Sequence, residues 1–300
     1  MSIIVSIGKN KNFFAIFGLL FGASVWGIIW YPYRLLELAG MSGVVASFYT
    51  YLIAMLIGCL VFWRHWIGLF NQPKSMIWLM LAAGWTNLSY VLAVIDGQVM
   101  RVILLFYLSP VWALILAHFW LKESIGIKEI LVIVISLLGA LIMMYDTSLL
   151  KSMPLPRSHS DWLALSAGMG FALTNVITRK SAHLTIVAKS FAVWVGVVVV
   201  SLAGMLVLSE NATLVVYTNA HISVLALIVA LLLFMSALFV QYGVTHVPAA
   251  RAAVIFLFEL VVAAFAAYYL ADEAMAINEW IGGTLIVSAA IYASIGEVND

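Results

Sequence analysis

Glu259 is the one residue that is neither apolar nor aromatic in AAVIFLFELVVAAFAAYYLA, residues 252–271. At 1.5 Å per residue, a helix over this stretch is long enough to cross a hydrocarbon core of roughly 30 Å. A carboxylate that deep in such a helix costs roughly 2.5–3.5 kcal/mol or more unless it faces protein or a water-filled cavity. Glu259 therefore implies that the helix has an inner side. There it could hold a proton, meet the amino group of a solute, or hydrogen-bond a neighbouring helix as a neutral carboxyl. Arg251 lies eight residues earlier, about 12 Å along the axis, and reads as an interfacial anchor rather than its ion partner.

Other polar and aromatic residues sit at comparable depth in apolar segments. Asn87 and Tyr90, in the run Trp85, Thr86, Asn87, Ser89, Tyr90, are three apart and share a helix face. They suit the polar head of a solute or a hydrogen bond across the bundle. Tyr107 and Pro110 share a face in the same way; the proline removes one backbone bond, and the resulting kink serves as a gate or only shapes the helix. Trp26 and Trp30 are four apart, with Gly22 and Gly27 beside them. They read as an aromatic wall or, for Trp30 near Pro32, as part of the interfacial belt. Asn175 and Gln241 are cavity donors or packing hydrogen bonds. His118 reads as an interfacial packer, and Cys59 as a buried filler with no disulfide partner in the chain. The candidate binding set is therefore Trp26, Asn87, Tyr90, Tyr107, Asn175, Gln241, Phe256 and Glu259, with Glu259 also the candidate proton carrier and Pro110 the candidate gate. No glycine-rich nucleotide loop, HExxH or Cys/His spacing is present, so neither metal nor cofactor is expected, and no enzyme chemistry.

These residues need a membrane-embedded scaffold, which the composition supplies. Of 300 residues, 65% are hydrophobic and only 9% charged, against about 25% charged in soluble domains. Nucleic acid is not an expected partner, because the basic residues are dispersed over short connections without forming a basic face. The N-terminus lacks the order of basic head, apolar core and small-residue cleavage site, and is read as mature protein. Polar punctuation marks ten apolar segments: 13–33, 43–63, 76–95, 101–121, 127–145, 162–178, 187–208, 222–242, 249–271 and 277–296. The expected fold is all-α and polytopic, with membrane lipid as its surroundings. The connection TSLLKSMPLPRSHS divides it into residues 1–147, a linker 148–160, and residues 161–300.

A slide of 150 residues places Glu123 on Glu273, Ile127 on Ile277, Glu129 on Glu279, and Ser109 on Glu259. Five segments per half is an odd number, so the second half enters the membrane from the other side. That is the inverted repeat from which many secondary transporters are built. With the N-terminus cytoplasmic, ten Lys and Arg fall on the cytoplasmic ends (Lys9, Lys11, Arg64, Lys74, Lys122, Lys128, Arg179, Lys180, Lys189, Arg251). Four (Arg34, Arg101, Lys151, Arg157) fall opposite. The positive-inside rule then puts both termini in the cytoplasm of, in the simplest setting, a bacterial inner membrane. No strong GxxxG pair calls for an oligomer.

With GASVWGIIW (22–30), LFYLSPVWALILAHFWLKE (105–123) and AAFAAYYLADE (263–273), the chain resembles the drug/metabolite transporter superfamily, specifically its EamA-type ten-helix exporters, over residues 13–296. The resemblance implies a central cavity between two halves and the movement of small organic solutes, often outward. The expected function is thus a secondary exporter of amino acids or related metabolites by alternating access, driven by protons or by the solute gradient. Its alternatives are a facilitator or importer of the same solutes, and a non-transporting scaffold in which Glu259, Asn87 and Asn175 pair off within the bundle.

Overall fold

The computed structural model describes residues 2–65, 74–97, 99–124, 126–143, 156–208, 220–270 and 275–295. The described chain is helical, without strands among these residues. In order the helices are α1 (Ser2–Leu38), α2 (Gly43–Val61), α3 (Ser75–Asp96), α4 (Val99–Phe106), α5 (Ser109–Leu116), α6 (Ile127–Met143), α7 (His159–Lys180), α8 (Ile186–Val207), α9 (Ala220–His246), α10 (Ala249–Phe256), α11 (Phe258–Leu270) and α12 (Ile277–Ile295). A π-helical turn, Ala117–Leu121, extends α5. Most of the expected linker, residues 148–155, lies outside the described residues, as do Asp272 and Glu273.

Seven helical stretches among the described residues are long and apolar enough to cross a membrane: Lys11–Leu38, Gly43–Val61, Ser75–Val94, Val102–Leu121, Ile186–Val207, His221–His246 and Ala249–Leu270. Of the other three, α6 is 17 residues long. Helix α7 carries Ser166, Thr174, Asn175 and Thr178 on its length, and α12 opens with Asn278 and Glu279.

Three segments depart from their expected form. Helix α1 runs straight through Pro32 to Leu38, although the sequence reading ended the segment there. A proline forfeits one bond to the residue four earlier, and packing along a helix can sustain that loss. Segment four is broken: α4 stops at Phe106 and α5 starts at Ser109, with Pro110 in its first turn. Having no N–H, Pro110 leaves the Phe106 carbonyl without its helical donor, and that carbonyl faces the Cα of Gly168 on α7. Segment nine, expected as one continuous helix, breaks at Leu257, two residues before Glu259. Around Leu257 the chain tightens: its N–H donates to the Val254 carbonyl, and the Leu260 N–H donates to the Leu257 carbonyl. No proline explains this second break.

The packing runs between the two parts of the chain more than within them. Helix α1 lies along α9 and α11; α3 lies along α7 and α8; α2 packs on α8 and α9; α6 packs on α12; and α4 and α5 pack on α7. Without a hydrophobic drive between helices in lipid, small residues that let backbones approach become the source of contact. Gly196 on α8 meets the backbone of Met80 on α3, and Gly84 on α3 meets the Gly196 carbonyl in return. A helix entry is also secured: Ser158 caps α7 by accepting from the Asp161 N–H at 3.1 Å, while the Asp161 carboxylate accepts from the N–H of Ser158 at 3.2 Å. This reciprocal pair satisfies two otherwise orphaned donors.

Candidate central cavity

Each wall of the central cavity comes from helical periodicity. Helix α3 presents Ala83, Thr86, Asn87 and Tyr90; α7 presents Phe171, Thr174 and Asn175; α9 presents Leu233, Ser236, Ala237, Val240 and Gln241. These are three- and four-residue steps, one face of each helix. Trp26 enters from α1, Tyr51 from α2, and Val193 and Val197 from α8. The two broken segments contribute their break points: Phe106, Tyr107 and Ser109 on one side, Ala253, Phe256 and Glu259 on the other. The space enclosed is about 130 Å³ for the centres of water-sized molecules.

All eight residues of the candidate binding set therefore line one cavity. Pro110 does not; it is buried in the first turn of α5, and its neighbour Ser109 reaches the lining instead. Trp30 is also absent from the lining and sits edge-on to Tyr31. Sequence reasoning passed over Tyr51, Phe106 and Phe171. Signals were available for two of them, since Phe171 lies one turn before Asn175, and Tyr51 one turn after Ser47, on the same helix face.

Glu259 sits in the first turn of α11, with the Tyr107 hydroxyl as its hydrogen-bonding neighbour. It is partly accessible, and that accessibility is to the cavity it lines. Gly27 brings α1 against this point: a Cβ there would lie 2.7 Å from the Glu259 carbonyl oxygen and 2.8 Å from the Val262 Cβ. Only glycine permits this approach, which also carries Trp26 to the wall. Rings continue around the cavity. Tyr90 packs on Phe106 at 5.0 Å between centroids, Phe106 on Phe171 at 5.7 Å, and Phe171 on Phe256 at 5.1 Å.

The polar lining is incompletely bonded. Asn87 Oδ1 and Asn175 Nδ2 are buried without a hydrogen-bond partner, and Asn175 is only 2% exposed. An unmade hydrogen bond at a buried amide costs about 1–3 kcal/mol, so these groups are poised for a guest. Gln241 differs, because its Oε1 accepts from Thr178 Oγ1 at 2.8 Å.

Beyond Gln241, where α7, α8, α9 and α10 have their ends, lies a charged network that the sequence reading did not anticipate. Lys189, assigned from the sequence to a connection end, is fully buried in α8. Its ammonium donates to Thr245 Oγ1, which in turn donates to the Gln241 carbonyl. Arg179 donates to the Thr245 carbonyl at 2.6 Å and pairs with Glu123 at 3.4 Å. The other Glu123 oxygen accepts the Ala249 N–H at the start of α10, at 3.3 Å, a favourable place for a carboxylate. Arg251 is an ion partner after all, though of Glu129 at 3.2 Å rather than Glu259. His118 is exposed and bonds the Glu123 carbonyl at 3.1 Å. Among the described residues, no group of three or more His, Cys, Asp or Glu is placed to hold a metal ion.

The EamA-like transporter family matches the chain twice, over residues 13–145 and 159–295. This chain belongs to the EamA-like transporter family. Membership makes it a membrane protein of a family that transports small solutes rather than an enzyme family, and agrees with the resemblance to the drug/metabolite transporter superfamily. A solved structure, described only as the crystal structure of a protein, superimposes with a TM-score of 0.76 over 95% of this chain and 97% of its own, at 13% identity. At that identity the likeness is one of fold. No curated protein matches the sequence.

Proposed function

We propose that this EamA-family chain is a ten-span secondary transporter that exports small organic solutes, with amino acids and related metabolites as the first class to test. The observation that carries the proposal is a single cavity, lined by both halves, that gathers Glu259 and two unpartnered amide groups onto one aromatic-walled site. In a scaffold, Asn87 and Asn175 would instead be expected to pair off within the bundle.

The division into residues 1–147, a linker 148–160 and residues 161–300 is supported by the two family matches. It is supported as well by the breaks at Tyr107 and Leu257, which are 150 residues apart. Exchanging the halves carries the α1–α9 contact onto α7–α3 and the α2–α9 contact onto α8–α3. Such reciprocity is what inverted repeats produce, and it favours α6, α7 and α12 as the remaining three spans. Both termini are placed in the cytoplasm, and the membrane is taken as a bacterial inner membrane, on the Lys and Arg bias.

In alternating access the halves move about the central site. Glu123 belongs to the first half, and Arg179 and Ala249 to the second, so their bonds hold the halves together at the cytoplasmic end. Opening to the cytoplasm breaks them. Glu259 carries the proton or the amino group of the solute, its neutral form being the one that rests at low cost in the empty site. Pro110 sets the break whose position allows α4 and α5 to tilt separately.

The test is flux. Reconstituted in liposomes, the protein is expected to move labelled amino acids, and Glu259→Gln to abolish proton-coupled movement while leaving insertion intact. Failure of every solute in a broad panel to cross would end the transporter reading. Unaltered pH dependence in the variant would end the proton role of Glu259 alone.

A further inference from the structure

The cavity is lopsided in charge. Among the described residues, Glu259 is the one lining residue with a full charge to offer, and no Lys, Arg or His lines the space. Lys189, the buried cation on α8, is turned away into its bond with Thr245. A carboxylate entering the cavity therefore finds no cation, only neutral donors such as the open amide Nδ2 of Asn175. A cation meets the opposite situation. It finds a carboxylate partner for charge-assisted hydrogen bonds. It also finds ring faces from Tyr107, Tyr90, Phe106 and Trp26, which attract cations through their quadrupoles. The same rings, with Phe171 and Phe256, provide apolar contact for an aryl body.

Resting on the reading of this cavity as the transport site, we infer that recognition is carried by the solute's ammonium group: an aromatic amine is a sufficient ligand, and the carboxylate of an amino acid is dispensable. Glu259 pairs with the ammonium, the ring chain receives the aryl group, and the Asn87 and Asn175 amides accommodate further polar substituents. Size follows from the cavity, which suits one ring with a short side chain rather than a peptide.

Three probes that share one ring and differ only in charge test this: phenethylamine, phenylalanine and 3-phenylpropionate. Their binding to the purified full-length protein is measured by calorimetry and by ligand-induced shifts of the unfolding temperature. Phenethylamine is expected to bind at least as tightly as phenylalanine, and 3-phenylpropionate about tenfold or more weakly than either. Glu259→Gln should cost the amine about tenfold and leave 3-phenylpropionate unchanged. The comparison on wild-type protein decides the matter even if the variant folds poorly. Binding of 3-phenylpropionate as tight as that of the amine overturns the inference, as does phenylalanine binding about tenfold tighter than phenethylamine. Binding of none of the three overturns it too. In each of these cases the transporter reading stands or falls separately, on the flux of the wider solute panel.

Discussion

Gly196→Ala is the substitution whose consequence the structure quantifies best. A Cβ at this position would lie 2.7 Å from both the Cα and the carbonyl carbon of Met80, and closer still to its oxygen. Carbon atoms rest about 3.5–4.0 Å apart, so α3 and α8 must separate by about 1 Å. The atoms in the way are backbone and have no rotamer into which to retreat. Overpacking of this kind costs about 1–3 kcal/mol, and a backbone clash belongs at the upper end. Alanine returns up to about 1 kcal/mol in helix propensity, which leaves a net loss of about 2 kcal/mol, some thirtyfold in the folding equilibrium. Gly283→Ala is the matched control, since a Cβ there meets Val261 at an ordinary 3.8 Å; it should be neutral or slightly stabilising. Reversible unfolding in mixed detergent micelles, read by tryptophan fluorescence, compares the two. A Gly196→Ala midpoint equal to wild type, or an equal loss in Gly283→Ala, refutes the reasoning. Because Val193 and Val197 line the cavity from the same helix, Gly196→Ala should also weaken solute binding.

Three further substitutions probe the polar groups. Thr245→Val strips the buried Lys189 ammonium of its acceptor and should destabilise by about 1–3 kcal/mol or more; Lys189→Met removes the charge itself and should be close to neutral, and the same micelle unfolding assay ranks them. Ser158→Ala removes the side-chain half of the capping box on α7 and should cost about 0.5–2 kcal/mol, seen as a lower unfolding midpoint and faster amide exchange in the first turn of that helix.

Much of the site was legible in the sequence because lipid makes polarity expensive. A carboxylate or amide inside an apolar segment must face inward, so Glu259, Asn87, Asn175 and Gln241 could be read as lining residues from their surroundings alone. Aromatic residues follow no such rule, being equally at home in lipid, at the interface or against a cavity, which is why Tyr51, Phe106 and Phe171 were passed over although they line the space. Lys189 was misplaced for the opposite reason. A lysine three residues into a helix ordinarily reaches the interface, and nothing local announces Thr245, which is 56 residues away, as its acceptor.

Composition and segment length by themselves determined that this chain is a helical membrane protein, since only closed backbone hydrogen bonding survives in hydrocarbon. Segment spacing and a few charges carried its division into halves. Tertiary structure decided where segments four and nine break, that the charges of Glu123, Arg179 and Lys189 join at one end, and that Arg251 belongs to Glu129. Those features depend on which helix lies against which. Ion pairs and close backbone contacts form between residues far apart in the chain, and the periodicity of one helix reports its inner face without naming the partner that meets it.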